Sequence, residues 1–61
     1  SVNLYEENNI TKINVITESG TYNKTINYPK KRALYEFNKH FNYYNELTEY
    51  RLLKYGFKKE S

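Results

Sequence analysis

The chain has no cysteine, tryptophan, methionine or aspartate, one proline (Pro29), two glycines (Gly20 and Gly56) and one histidine (His40). Without cysteine there are no disulfides and no thiolate metal sites; the redox compartment stays open, although an intracellular chain needs no disulfides. Two isolated glycines cannot build a phosphate-cradling loop. With no cysteine or aspartate beside the single histidine, no His-centred nucleophilic triad stands in recognisable form. His40 and Glu36, four residues apart on one helix face, offer two metal ligands where zinc needs three or four, so a surface or boundary histidine is expected and no metal. The longest apolar run is Ala33-Leu34-Tyr35, far short of the roughly 20 residues of a membrane-spanning helix. A soluble chain in the cytoplasm of a bacterial host is expected, with no membrane contact.

All seven acids are glutamate, and Glu6-Glu7 and Glu46 with Glu49 are the only close pairs. Paired carboxylates can act as acid and base across a cleft, but so short a chain has little room for a pocket that excludes water. These glutamates read as solvated charges. Eight tyrosines include no nucleophile candidate with an arginine and histidine arranged to activate it. No enzyme, no cofactor and no small-molecule substrate is expected. Asn9-Ile10-Thr11 and Asn23-Lys24-Thr25 match the glycosylation sequon, but nine asparagines and eight hydroxyl residues produce about one such match by chance.

Sixty-one residues make one domain at most. A chain of this mass buries roughly 6,500 Å² on folding, worth about 90 kcal/mol if just over half is apolar, and ordering the residues costs about the same. Small domains escape this balance by cross-links, metals or association. Association is what this composition leaves.

Asparagine (nine), tyrosine (eight), lysine (eight) and isoleucine (four) supply 29 of the 61 residues. All four have A/T-rich codons, which points to an AT-rich genome, such as a low-GC bacterium or its phages and mobile elements. Tyrosine also inflates the apolar count, since only 15 residues are Ala, Val, Ile, Leu or Phe. Tyrosine rings favour boundaries and interfaces, where the hydroxyl stays wet.

Ile10 to Thr17 and Thr21 to Tyr28 are β-branched and aromatic, with Glu18-Ser19-Gly20 between them, and they predict a β-hairpin over about 10–28. An even-length loop pairs Thr17 with Tyr22, Val15 with Lys24, Ile13 with Ile26 and Thr11 with Tyr28. That register gathers Ile13, Val15, Tyr22, Ile26 and Tyr28 on one face; a one-residue slip would scatter them. The other face carries Lys12, Asn14, Asn23, Thr25 and Asn27, with Ile10 and Ile16 as apolar exceptions. Upstream, Val2 and Leu4 alternate before a turn at Glu6-Glu7-Asn8-Asn9, so a short strand over Val2 to Glu6 could add to the sheet.

From Pro29 the apolar period changes to that of a helix. Lys30 to Tyr55 holds no further proline or glycine, and Gly56 stands where a helix ends. Leu34, Phe37, Phe41, Tyr44, Thr48, Leu52 and Tyr55 fall within roughly 80° of arc, the stripe that would cover the hairpin. The expected fold class is therefore α+β, a two- or three-stranded antiparallel meander packed on one long C-terminal helix over about 30–55. Such a helix would run about 39 Å at 1.5 Å per residue, so it overhangs the sheet or breaks near Asn42 to Asn45. Tyr43, Tyr50 and Phe57 recur every seven residues on its other side, beside Leu53 and Leu47, and this second strip is a candidate protein interface.

Lys30-Lys31-Arg32 sits at the helix start, where positive charge opposes the macrodipole. Three cations beside free N–H groups would make a phosphate contact. With Lys12, Asn14, Asn23 and Thr25 on a β-ribbon face, these residues form a candidate nucleic-acid surface. The leading expectation is a small non-catalytic interaction protein, homodimeric, serving as an inhibitor or adaptor of a larger protein and encoded by a phage or other mobile element. The alternative is a DNA-binding regulator that reads with the β-ribbon and clamps phosphate with the basic helix start.

Overall fold

The computed structural model describes residues 1–60. Three strands, β1 (Val2–Glu7), β2 (Ile10–Thr17) and β3 (Gly20–Ile26), form an antiparallel meander, and β4 (Lys58–Lys59) adds to the free side of β3. β1 and β2 are joined by Asn8 and Asn9 at φ 53° and 63°, the left-handed geometry that matches strand twist in a two-residue hairpin. Asparagine tolerates that region because its short polar side chain bonds locally. The strand expected over Val2 to Glu6 is thus present and ends one residue later.

The β2–β3 pairing corrects the expected register by two residues. Thr17 faces Gly20, Val15 faces Tyr22, Ile13 faces Lys24 and Thr11 faces Ile26. The loop is Glu18-Ser19 alone, closed by the Ser19 N–H donating to Thr17 Oγ1 at 3.2 Å, and Gly20 takes φ 144°. A shift of two leaves every side chain on its face. Ile13, Val15, Tyr22 and Ile26 are all buried. Tyr28 falls beyond the strand, and its carbonyl accepts the hydroxyl of buried Thr11 at 2.7 Å.

The single long helix is also corrected. It is two helices, α1 (Lys30–His40) and α2 (Glu49–Lys54), separated by a 3-10 turn over Tyr44–Glu46. Asparagine and tyrosine over Asn42 to Asn45 are mediocre helix formers, and each piece has its own end signals. Thr48 Oγ1 accepts the Arg51 N–H at 3.3 Å as the N-cap of α2. Glu46 reaches back to the Tyr43 N–H at 3.0 Å. At the end of α1, Arg51 Nη2 donates to the His40 carbonyl at 2.7 Å, and the His40 and Tyr55 rings stack at 4.0 Å. The longest dimension of the molecule is 30 Å, less than the unbroken helix would have needed.

α2 ends as its sequence predicts. Gly56 at φ 92° is the residue after the cap, and the Phe57 N–H returns to the Leu52 carbonyl at 2.9 Å while the Gly56 N–H meets that of Leu53 at 3.2 Å. This paired reversal brings two apolar side chains together, here the buried Leu52 and Phe57. Phe57 packs edge-on to Phe37 and to Phe41, each at 6.1 Å, and Phe37 stacks on Phe41 at 4.9 Å. The buried stripe of α1 runs through Ala33 and Phe37 rather than Leu34, which is 41% exposed. The core lies between one face of the sheet and this helical layer, and none of the described residues packs over the other sheet face.

Two substitutions test this arrangement. Gly56→Ala forces a side chain into a left-handed position and sets its Cβ 3.4 Å from Lys24 Cε. It should cost about 1–2 kcal/mol in urea unfolding. Arg51→Lys keeps the charge but loses the planar fork over the Phe41 and Tyr55 rings. A loss of about 1.5–3 kcal/mol is expected for the carbonyl bond, and an unchanged denaturation midpoint would show that the guanidinium does not hold the reversal.

Candidate binding surfaces

Two surfaces emerge, one on each side of the molecule. On the helical side, the strip read as an interface divides. Phe57 is only 4% exposed and belongs to the core, which removes it from the candidate interface. Its seven-residue spacing from Tyr43 and Tyr50 had meaning only on an unbroken helix. Leu47 is half-buried against the same core. Tyr43 at 72%, Tyr50 at 75% and Leu53 at 46% stay outside, joined by Tyr44 at 73%. Tyr50 and Leu53 are three apart on α2, hence neighbours on its outer face.

On the sheet side, pairing generates rows across the strands. Tyr5, Lys12 and Thr25 form one row, and Asn3, Asn14, Asn23 and Lys58 form the next. The four sheet residues expected to contact nucleic acid, Lys12, Asn14, Asn23 and Thr25, therefore stand together on the bare face. Asn14 Nδ2 donates to Asn23 Oδ1 at 2.6 Å, which fixes both amides while leaving the Asn23 NH₂ and the Asn14 oxygen free. Asn3, Tyr5 and Lys58 are additions that sequence reasoning missed. The alternation of Val2 and Leu4 pointed to the first two, whereas no local signal put Lys58 in a strand.

The basic helix start is arranged differently. The Lys30 N–H donates to Glu6 Oε1 at 2.9 Å, so a carboxylate from β1 already occupies the position proposed for a phosphate. The Arg32 guanidinium lies 3.8 Å from the centre of the Tyr28 ring, and Lys31 is exposed. These three side chains form no common site with the four on the sheet. His40 is half-buried in its stack with Tyr55, and no three His, Cys, Asp or Glu side chains cluster as a metal site among the described residues.

A hydrogen-bond chain ties the layers together. Ser19 Oγ meets the Tyr22 hydroxyl at 2.6 Å, that hydroxyl donates to Glu49 Oε1 at 3.0 Å, and Lys59 Nζ reaches the same oxygen at 3.0 Å. It gives the buried Tyr22 ring a satisfied hydroxyl. The Lys59 hydrogen bond, then that of Tyr22, holds the Glu49 carboxyl below its ordinary 4.5. The Glu49 hydrogen bond likewise raises Lys59 above 10.5. A lowered carboxyl stabilises the fold above its ordinary value and loses that contribution as pH falls through the folded one; a raised ammonium loses its own only as pH rises past 10.5. The contact is whole between those limits and fails on the acid side first.

The Glu60 N–H, bonded to the Thr21 carbonyl at 2.8 Å, reports on it. Its protection from hydrogen exchange, corrected for intrinsic rate, should fall as pH drops below 4.5, and Glu49→Gln should show the lower protection already at pH 7. Equal protection in both proteins at pH 7 would show that Glu49 does not hold β4. No protein-family model matches the chain, and neither the curated proteins nor the solved structures compared with it give a match.

Proposed function

We propose that the protein is a small non-catalytic interaction protein, encoded by a phage or other mobile element of an AT-rich genome, that acts as an inhibitor or adaptor by covering a surface of a larger protein. One observation carries this reading: Tyr43, Tyr50 and Leu53 stay exposed after Leu47 and Phe57 of the same strip have joined the core. Tyrosine brings large contact area with few rotors to freeze, which suits it to anchor an interface. The exposed surface of 4588 Å² also exceeds the roughly 4,200 Å² expected for this mass, as fits a chain whose burial is completed by a partner. That partner is a second copy, a larger protein, or both in one assembly, and the bacterial cytoplasm is the proposed setting.

The combined Tyr50→Glu and Leu53→Glu substitutions place two charges on this patch without touching the core. Circular dichroism should be unchanged. Light scattering should show loss of the dimer, or affinity capture from host lysate should lose a protein that the unsubstituted chain retains. If assembly and capture both survive, the patch is not the interface.

A further inference from the structure

We propose that the bare face of the sheet is a second binding surface, distinct from the tyrosine patch, and that its ligand is duplex DNA held in the major groove. Lys12, Asn14, Asn23 and Thr25 all stand on β2 and β3, the two central strands of the sheet, and a two-stranded β-ribbon is an element that the major groove of B-DNA, about 12 Å wide, admits. The central rows carry asparagine, lysine and threonine, the side chains that bond base edges there. Lys58 on β4 and Tyr5 on β1 stand at opposite ends of these rows, placed for the two phosphate walls.

The acids stand away from the central rows. Glu7, at the end of β1, projects from this face, and Glu60, whose N–H bonds the Thr21 carbonyl just beyond β4, alternates with Lys58 onto its margin. Glu6 is turned inward to Lys30, Glu49 is held by Lys59, Glu36 and Glu46 lie in the helical layer, and Glu18 sits at the hairpin tip.

The face fits other partners less well. Its exposed isoleucines, Ile10 and Ile16, are six residues apart on β2, or about 20 Å, with polar residues between them. No continuous apolar patch exists there for a protein. A single-strand platform needs several aromatic rings for stacking, and Tyr5 is the only one. The major groove of A-form RNA is too narrow for side chains to read.

The test uses the full chain and a fluorescent 24-base-pair DNA duplex pool of random sequence, titrated from 20 to 200 mM salt. Binding that weakens linearly on a log–log plot is expected. Lys12→Ala combined with Lys58→Ala should flatten the slope by about 2, so that affinity falls roughly tenfold less between 50 and 200 mM salt. Asn14→Ala with Asn23→Ala should abolish any sequence enrichment that the unsubstituted chain selects from the pool. The Tyr50→Glu, Leu53→Glu protein should bind DNA unchanged, which separates this surface from the one proposed above. Failure to bind at 20 mM salt overturns the inference. So does tighter binding of single strands or of double-stranded RNA, or a salt slope that ignores the lysine substitutions.

Discussion

The helical layer depends on one contact, the Arg51 guanidinium on the His40 carbonyl at 2.7 Å. A helix end leaves carbonyls without partners, and here the charge that satisfies one comes from the next helix rather than from solvent. The same guanidinium lies about 6 Å from the Phe41 and Tyr55 ring centres, so the group that caps α1 also fixes where α2 lies. With the chain folded back at Phe41, Leu52 and Phe57 are carried onto the sheet. The two residues after Phe57 then meet the edge of β3 and become its fourth-strand neighbour. Had the helix continued, Phe57 would have projected past the sheet and β4 would not exist.

Aromatic packing supplies much of what a chain of this length lacks. Phe37, Phe41 and Phe57 meet ring to ring, and such pairs contribute about 0.5–1.5 kcal/mol each beyond the area they bury. Tyr22 is fully buried at the centre of the sheet, which is tolerable only because Ser19 and Glu49 satisfy its hydroxyl. That bond chain joins the β2–β3 turn, α2 and β4. Tyrosine therefore serves two purposes here: at Tyr22 a buried ring with a paired tip, at Tyr43 and Tyr50 an exposed one.

What could be read in advance follows the physics of each period. The faces of the hairpin were legible because side chains alternate strictly; its loop length was not, since two-residue and four-residue loops share the same parity and bury the same residues. The helix break near Asn42 to Asn45 was legible only as an alternative to an overhang, because Phe41, Tyr44, Thr48 and Leu52 keep a helical spacing across it by coincidence. Thr48-Glu49, a capping residue followed by an acid in the first turn, was the available sign that a new helix starts there. The grouping of Lys12, Asn14, Asn23 and Thr25 was legible from alternation alone. The placement of Phe57 was not, because its partners lie on α1, across a reversal whose direction no local pattern fixes. Nor was the role of Glu6, which reaches the start of α1 from 24 residues upstream.

The two proposed surfaces share no residue and belong to different layers, the bare face of the sheet and the outer face of the helices, so occupying one leaves the other free. For a domain whose burial barely balances its ordering cost this has a thermodynamic consequence. A ligand that binds only the folded chain adds RT ln(1 + [L]/Kd) to its stability, about 2.7 kcal/mol at a hundredfold excess over Kd. Two independent ligands add two such terms. The sheet face and the α2 face are therefore also where the missing stability can come from, and a protein this small could hold DNA with one side while the other side holds its partner.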